Sequence, residues 1–224
     1  MRKILYDFID LIFPNYCSGC GRPFVAGENN LCSICTIDLP VFQLDEQLLD
    51  HFSGRIEVQE ARAFLKFYHG GITQKLLHSL KYNGNQELGE HLGNMFIKHL
   101  PEESIFTNIE VIVPVPLHKS KQWARGYNQS EVLAKGMAKG LGVSVDSASM
   151  VRLKKSETQT KKNRADRWHN VSGIFEIIGD NLKDKHILLV DDVITTGATL
   201  EACGETILKA GAASLSIGTL AAAM

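Results

Sequence analysis

The sequence predicts an α/β protein: a parallel sheet flanked by helices, preceded by a small zinc-ribbon-like module. Two patterns carry this reading. From about residue 109 onward, short unbroken apolar runs alternate with helical periodicity, as expected when a parallel sheet is covered on both faces. Near the N-terminus, Cys17-x2-Cys20 and Cys32-x2-Cys35 form two close pairs, the spacing of a four-thiolate metal site. Composition agrees with a soluble globular class. The 224 residues are 44% hydrophobic and 22% charged, with 24 Lys+Arg against 25 Asp+Glu and a net charge of −1. These values speak against disorder, a disulfide scaffold and a wholesale nucleic-acid coat.

In chain order, Ile4, Leu5, Phe8, Leu11 and Ile12 fall at helical spacing, with Lys3, Asp7 and Asp10 opposite. This reads as a short amphipathic helix docked on the protein, with a membrane or partner helix as the alternative. Asp7 and Asp10 break the apolar run, and no cleavage site follows, so a signal peptide is not expected. No stretch approaches the roughly 18 apolar residues of a membrane span, and the expected location is the cytoplasm. The cysteine pairs should hold one structural Zn²⁺ through Cys17, Cys20, Cys32 and Cys35, with Gly19 and Gly21 suiting tight knuckles. Two redox pairs or disulfides are the alternative. Cys203, on an apolar helical stripe, reads as an inert core residue.

Two units are expected, residues 1–58 and 59–224. In the second, 61–68 reads as a strand and 72–81 and 86–100 as helices, split by Asn83-Gly84. The run Val111-Ile112-Val113-Pro114-Val115-Pro116 is a strand entering a polar loop. A helix at about 128–140, a return at 143–145 and a strand at 175–178 follow. The strand beginning at His186 is expected to end at Val190, before a helix at 199–210 and a last strand at 214–220.

The stretch Ile187-Leu188-Leu189-Val190-Asp191-Asp192-Val193-Ile194-Thr195-Thr196-Gly197-Ala198-Thr199 carries the chemistry. A buried strand delivers two carboxylates to the carboxyl edge of the sheet, where open α/β folds bind ligands. A Thr/Gly loop then opens into a helix, whose unpaired N–H groups form an anion site. No GxxxxGK[ST] and no GxGxxG after a strand occur, which argues against nucleoside triphosphates and dinucleotides. One phosphate monoester in the loop, with Asp191 and Asp192 accepting from a polyol, fits best. An ordinary capping turn with surface acids is the plainer alternative.

The string Ile187–Thr199 resembles the signature of type I phosphoribosyltransferases. The wider chain resembles the ComF family within that superfamily. The four-cysteine module supports this, as do Val113-Pro114-Val115-Pro116-Leu117, Arg125-Gly126-Tyr127-Asn128-Gln129-Ser130, and the block from Arg152 through Gln159 to Arg167, Asn170 and Phe175. The resemblance implies a type I phosphoribosyltransferase fold that binds phosphoribosyl pyrophosphate with Mg²⁺. Asp191 and Asp192 would serve as the catalytic residues, close to the ribose hydroxyls and Mg²⁺, with Thr195, Thr196, Gly197, Ala198 and Thr199 holding the 5-phosphate. It also implies a pyrophosphate loop at 117–127 with Arg125, and a closing loop at about 153–168 with Lys154 and Arg167 as contacts. Charge is consistent with both loops: residues 119–125 carry +3 and 152–167 carry +5, leaving −9 elsewhere. A solvated charged face is the alternative for individual lysines.

Three functions follow from the resemblance. One is transfer of a phosphoribosyl group. A second is handling of single-stranded DNA in natural competence, with Trp123, Tyr127 and Trp168 available for stacking. A third is a scaffold that senses the sugar phosphate and contacts other competence proteins.

Overall fold

A computed structural model describes residues 15–42, 47–153 and 173–223. Chain order begins with a short helix α1 (Ser33–Ile37) in the cysteine module and α2 (Gln47–Asp50). Then come β1 (Ala61–Phe67), α3 (Ile72–Tyr82), α4 (Gln86–Lys98), β2 (Val111–Pro114), α5 (Lys119–Arg125), α6 (Gln129–Leu141) and β3 (Ser144–Val145). After β4 (Met150–Arg152) and β5 (Phe175–Ile177), the chain closes with β6 (His186–Ile194), α7 (Ala198–Lys209) and β7 (Ser214–Ala223).

Five strands form a parallel sheet in the order β1-β7-β6-β2-β3. Because successive side chains leave a strand on opposite faces, β6 supplies two cores. Leu188 and Val190 join Phe64, Leu76, Leu92, Leu133 and Met137 under α3, α4 and α6. Ile187 and Leu189 join Leu200, Cys203 and Ile207 of α7, so Cys203 is the buried core residue its stripe suggests. Both faces are therefore covered, and continuous Ile/Leu/Val runs are the consequence.

The cysteine module is joined to the first of these cores. Cys17, Leu31, Cys32, Cys35 and Leu39 belong to the same buried cluster as Phe64, Leu76 and Leu77. The segment 47–58 serves the other core through Leu48 and Phe52, and Arg55 reaches Glu201 on α7 at 3.4 Å.

Three expectations change. The loop after β2 contains a helix, α5. The His118 side chain accepts from the Ser120 N–H at its start, and Gly126 ends it in the left-handed region at φ 80°, the usual place for a C-terminal glycine. The strand β4, which pairs antiparallel with β5, lies at the start of a segment whose charge concealed it. The strand expected to end at Val190 continues to Ile194, because β7 pairs with it up to Ala222. The N-terminal amphipathic segment, with Trp168 and most of the second basic loop, lies outside the described residues.

Candidate functional site

The carboxyl edge of β6 is where the chain concentrates polar groups. Asp191 and Asp192 lie inside the strand, so the two carboxylates cannot point the same way. Each has its own partner. The Ser130 hydroxyl donates to Asp191 at 2.8 Å, and Lys81 on α3 forms an ion pair with Asp192 at 2.6 Å. The Asp192 backbone N–H adds a bond to the Asp191 carboxylate at 2.9 Å. Loss of solvation, and secondly the neighbouring Asp192 charge, push the Asp191 carboxyl up to about 7, against the bonds from Ser130 and the Asp192 N–H and the charge of Lys81.

Residues 193–199 then wrap a small hollow of about 50 Å³ lined by Asp191 and Val193–Leu200. Gly197 is the N-cap of α7 at φ 78°, and no side chain caps the helix. The first N–H groups of α7 therefore lack the usual intrahelical and side-chain acceptors, which is the requirement for holding an anion. A Cβ on Gly197 would make only ordinary contact with Phe52 at 3.4 Å, so it is the left-handed backbone that calls for glycine here. Thr195, Thr196, Ala198 and Thr199 all line the hollow.

The motif 125–130 braces this edge. The Asn128 amide donates to the Val115 carbonyl at 2.9 Å while its oxygen accepts from the Ser130 N–H at 3.1 Å. This fixes the start of α6 against the end of β2 and places Ser130 at Asp191. The Tyr127 hydroxyl donates to the Leu80 carbonyl. Arg125 donates to Gln129 at 2.8 Å and sits over the Tyr82 ring, 5.7 Å from its centroid. It thus stands beside the C-terminal end of α3, the helix that supplies Lys81. Lys154 and Arg167 lie outside the described residues.

At the other end of the chain, the sulfurs of Cys17, Cys20, Cys32 and Cys35 all lie within 4.8 Å of one another. Backbone N–H groups point at them: Gly19 and Cys32 donate to Cys17 Sγ at 3.4 and 3.3 Å, and Cys35 donates to Cys32 Sγ at 3.3 Å. Burial of Cys32 raises its thiol, but the Cys35 N–H and the Arg22 side chain outweigh it and bring the group down to about 6. Thiolates stabilised by N–H donors suit a soft tetrahedral ion, and four of them close its coordination. These residues could hold a metal ion, and the donor set fits zinc.

Residues 128–224 match the phosphoribosyl transferase domain family. The DNA utilization protein YhgH of Escherichia coli is 24% identical over 226 residues, covering 94% of this chain and 98% of that protein. The chain is similar to the ComF family. The YhgH protein of Salmonella typhimurium is 30% identical to this chain over 148 residues, 65% of each. Competence protein F of Haemophilus influenzae is 34% identical over 116 residues, 51% of each. The chain thus spans a little under two thirds of the first of these two proteins and half of the second. The parallel sheet flanked by helices is that of a type I phosphoribosyltransferase. Among the described residues no helix is long and apolar enough to cross a membrane.

Two participants are not legible in the sequence. Lys81 and Tyr82 end an ordinary amphipathic helix, and only the tertiary arrangement brings them to Asp192 and Arg125. Ser130 is visible within a motif and Asp191 within another, but their pairing is not.

Proposed function

We propose that this chain binds phosphoribosyl pyrophosphate at the Asp191–Thr199 edge and acts in DNA uptake and utilisation. The observation that carries the ligand reading is the glycine-opened, uncapped start of α7 directly beside two separately braced carboxylates. The 5-phosphate would sit in the Thr195–Thr199 hollow, and the carboxylates would accept from the ribose hydroxyls. The pyrophosphate would lie toward Arg125, with Lys154 and Arg167 as further contacts. Asp191 and Asp192 are hard oxygen donors suited to Mg²⁺, which would neutralise charge on the leaving pyrophosphate. Zn²⁺ on the four cysteines is proposed as a structural ion. The names of the relatives, DNA utilization protein and competence protein F, support the biological setting and, with it, a cytoplasmic location. The division into residues 1–58 and 59–224 is proposed with it.

If transfer occurs, a nitrogen nucleophile forms a bond to C1 of the ribose as the bond from C1 to pyrophosphate oxygen breaks. The protein's share is then orientation and neutralisation of charge. The relatives' names also favour a second reading, in which the bound sugar phosphate regulates a DNA-handling or scaffold protein without transfer. Consumption of a nucleobase together with the sugar pyrophosphate separates the two.

A charge-assisted hydrogen bond contributes about 1.5–3 kcal/mol, so Asp191→Asn/Asp192→Asn should weaken ligand binding roughly a hundredfold or more. Calorimetry with phosphoribosyl pyrophosphate and Mg²⁺ measures this, with an unchanged ligand-free Tm as the folding control. Equal binding by the double variant, or none by the parent at millimolar ligand, would leave the signature as a structural turn.

A further inference from the structure

The two cysteine pairs are tied together by a residue that is not a cysteine. Glu28 lies in the link between them, and its side chain is only 8% exposed. Its Oε1 accepts from Arg22 Nη2 at 2.6 Å, from the Ser33 N–H at 2.9 Å and from the Ser33 hydroxyl at 2.5 Å. Its Oε2 accepts from the Val25 N–H at 3.1 Å. Arg22 and Val25 follow the first cysteine pair, while Ser33 opens α1 inside the second. Four donors converging on one carboxylate fix its position and, through the charge-assisted bond, that of the Arg22 guanidinium.

The rest of that guanidinium faces sulfur. Arg22 reaches Cys32 and feels the charge of both Cys32 and Cys20, whose sulfurs lie 3.8 Å apart. Its Nε is buried and has no hydrogen-bond partner among the described residues. A thiol is a weak acceptor and a metal-bound thiolate a far stronger one, so this left-over N–H is the donor that a loaded site would use. Backbone N–H groups already serve Cys17, from Gly19 and Cys32, and Cys32, from Cys35. Among the described residues none reaches the Cys20 sulfur, and Cys20 is the exposed member of the set. Four thiolates around one divalent ion leave a doubly negative centre, and the Cys20 side of it lacks backbone donors.

We propose that Arg22 is an outer-sphere positioning residue of the metal site, held by Glu28 so that its guanidinium compensates the thiolates of Cys20 and Cys32 and governs how tightly the ion is retained. Outer partners of this kind orient metal ligands and tune the site. The Glu28 charge is met on its far side by the Val25 and Ser33 N–H groups, which leaves the Arg22 charge for the sulfurs. A clasp that only stapled the two cysteine pairs would need the Arg22–Glu28 bond, but not a guanidinium turned to sulfur with a buried N–H unfilled. The proposal rests on the zinc reading and adds to it two residues that do not themselves ligate the ion.

The test uses the full chain under reducing conditions, with Zn²⁺ affinity read by competition with a chromophoric chelator and the site read by the absorption spectrum of the Co²⁺-loaded protein. Arg22→Met should lower Zn²⁺ affinity about tenfold to a hundredfold. Its d–d bands should still report four-sulfur tetrahedral coordination, which shows that the site is folded. Its sulfur-to-cobalt charge-transfer band should move to lower energy, because a thiolate without a compensating cation gives up an electron more readily. Ser33→Ala removes one bond from Glu28 and keeps the Arg22 charge, so its band should stay at the parental position. Glu28→Ala should also weaken Zn²⁺ binding, and by less in the Arg22→Met background, since Glu28 acts partly through Arg22. Parental affinity and band in Arg22→Met would overturn the proposal. So would a loss of affinity with an unmoved band, which would reduce the pair to a loop staple, or strictly additive losses in the double variant. A parent that takes up neither ion would overturn the zinc reading and this proposal together, whereas a parent that binds no better than Arg22→Met would overturn this proposal alone.

Discussion

Asp191 shows how a single residue records the conflict between stability and binding. Its carboxyl is displaced to about 7 by burial and by Asp192, while an unfolded aspartate titrates near 3.9. The folded form therefore holds its proton more tightly than the unfolded chain. By linkage, the stabilising contribution is complete below about pH 4 and is lost as pH rises through about 7. The ligand-free Tm of the parent should fall across that window relative to Asp191→Asn, which removes the titration. Scanning calorimetry at stepped pH checks this, and parallel curves for the two proteins would contradict it. Such a penalty is expected of a group kept for a ligand rather than for the fold.

At the scale of elements, the crossing of α4 and α6 holds the motif that braces the site. A Cβ on Gly136 would overlap the backbone of Glu90, and one on Gly93 would press on the backbone of Leu133 and Met137. The helices thus approach through their glycines, and backbone cannot move aside as a side chain can. Gly136→Ala should destabilise by about 3 kcal/mol, a fall in Tm of roughly 10 °C. Gly140→Ala meets only the Ile97 side chain and should cost much less, since that side chain can shift and alanine favours a helix. Comparing the two melting curves tests whether the contact is rigid. The α5 helix teaches a related point. Its C-terminal signal, Gly126 after Arg125, was present in the sequence, but the short charged stretch before it lacked an apolar stripe and read as loop.

For the whole molecule, the cysteine module and the sheet share a core, so neither melts alone. Cys17, Cys32 and Cys35 pack in one cluster with Phe64 and Leu76, and a Cβ on Gly19 would lie 2.8 Å from Ile72 and 2.9 Å from Cys35 Sγ. Metal analysis should find one Zn²⁺ per chain. Its removal by a chelator, or Cys17→Ser, should lower the main melting transition rather than release a separate early one, because it uncovers the α3 face of the sheet. An unchanged main transition would show the module to be thermally independent. The sequence by itself determined the α/β class, the cysteine cluster and the Thr/Gly loop that opens α7, since these depend on local periodicity, on two-residue spacings and on a contiguous strand–loop–helix string. It could not determine that β6 runs on through its two acids, because strand length is set by pairing with β7. Nor could it join Lys81 to Asp192, Ser130 to Asp191, or Arg125 to Tyr82. Those pairs are remote in sequence, and only the packing of α3 and α6 on one face of the sheet brings their side chains within reach.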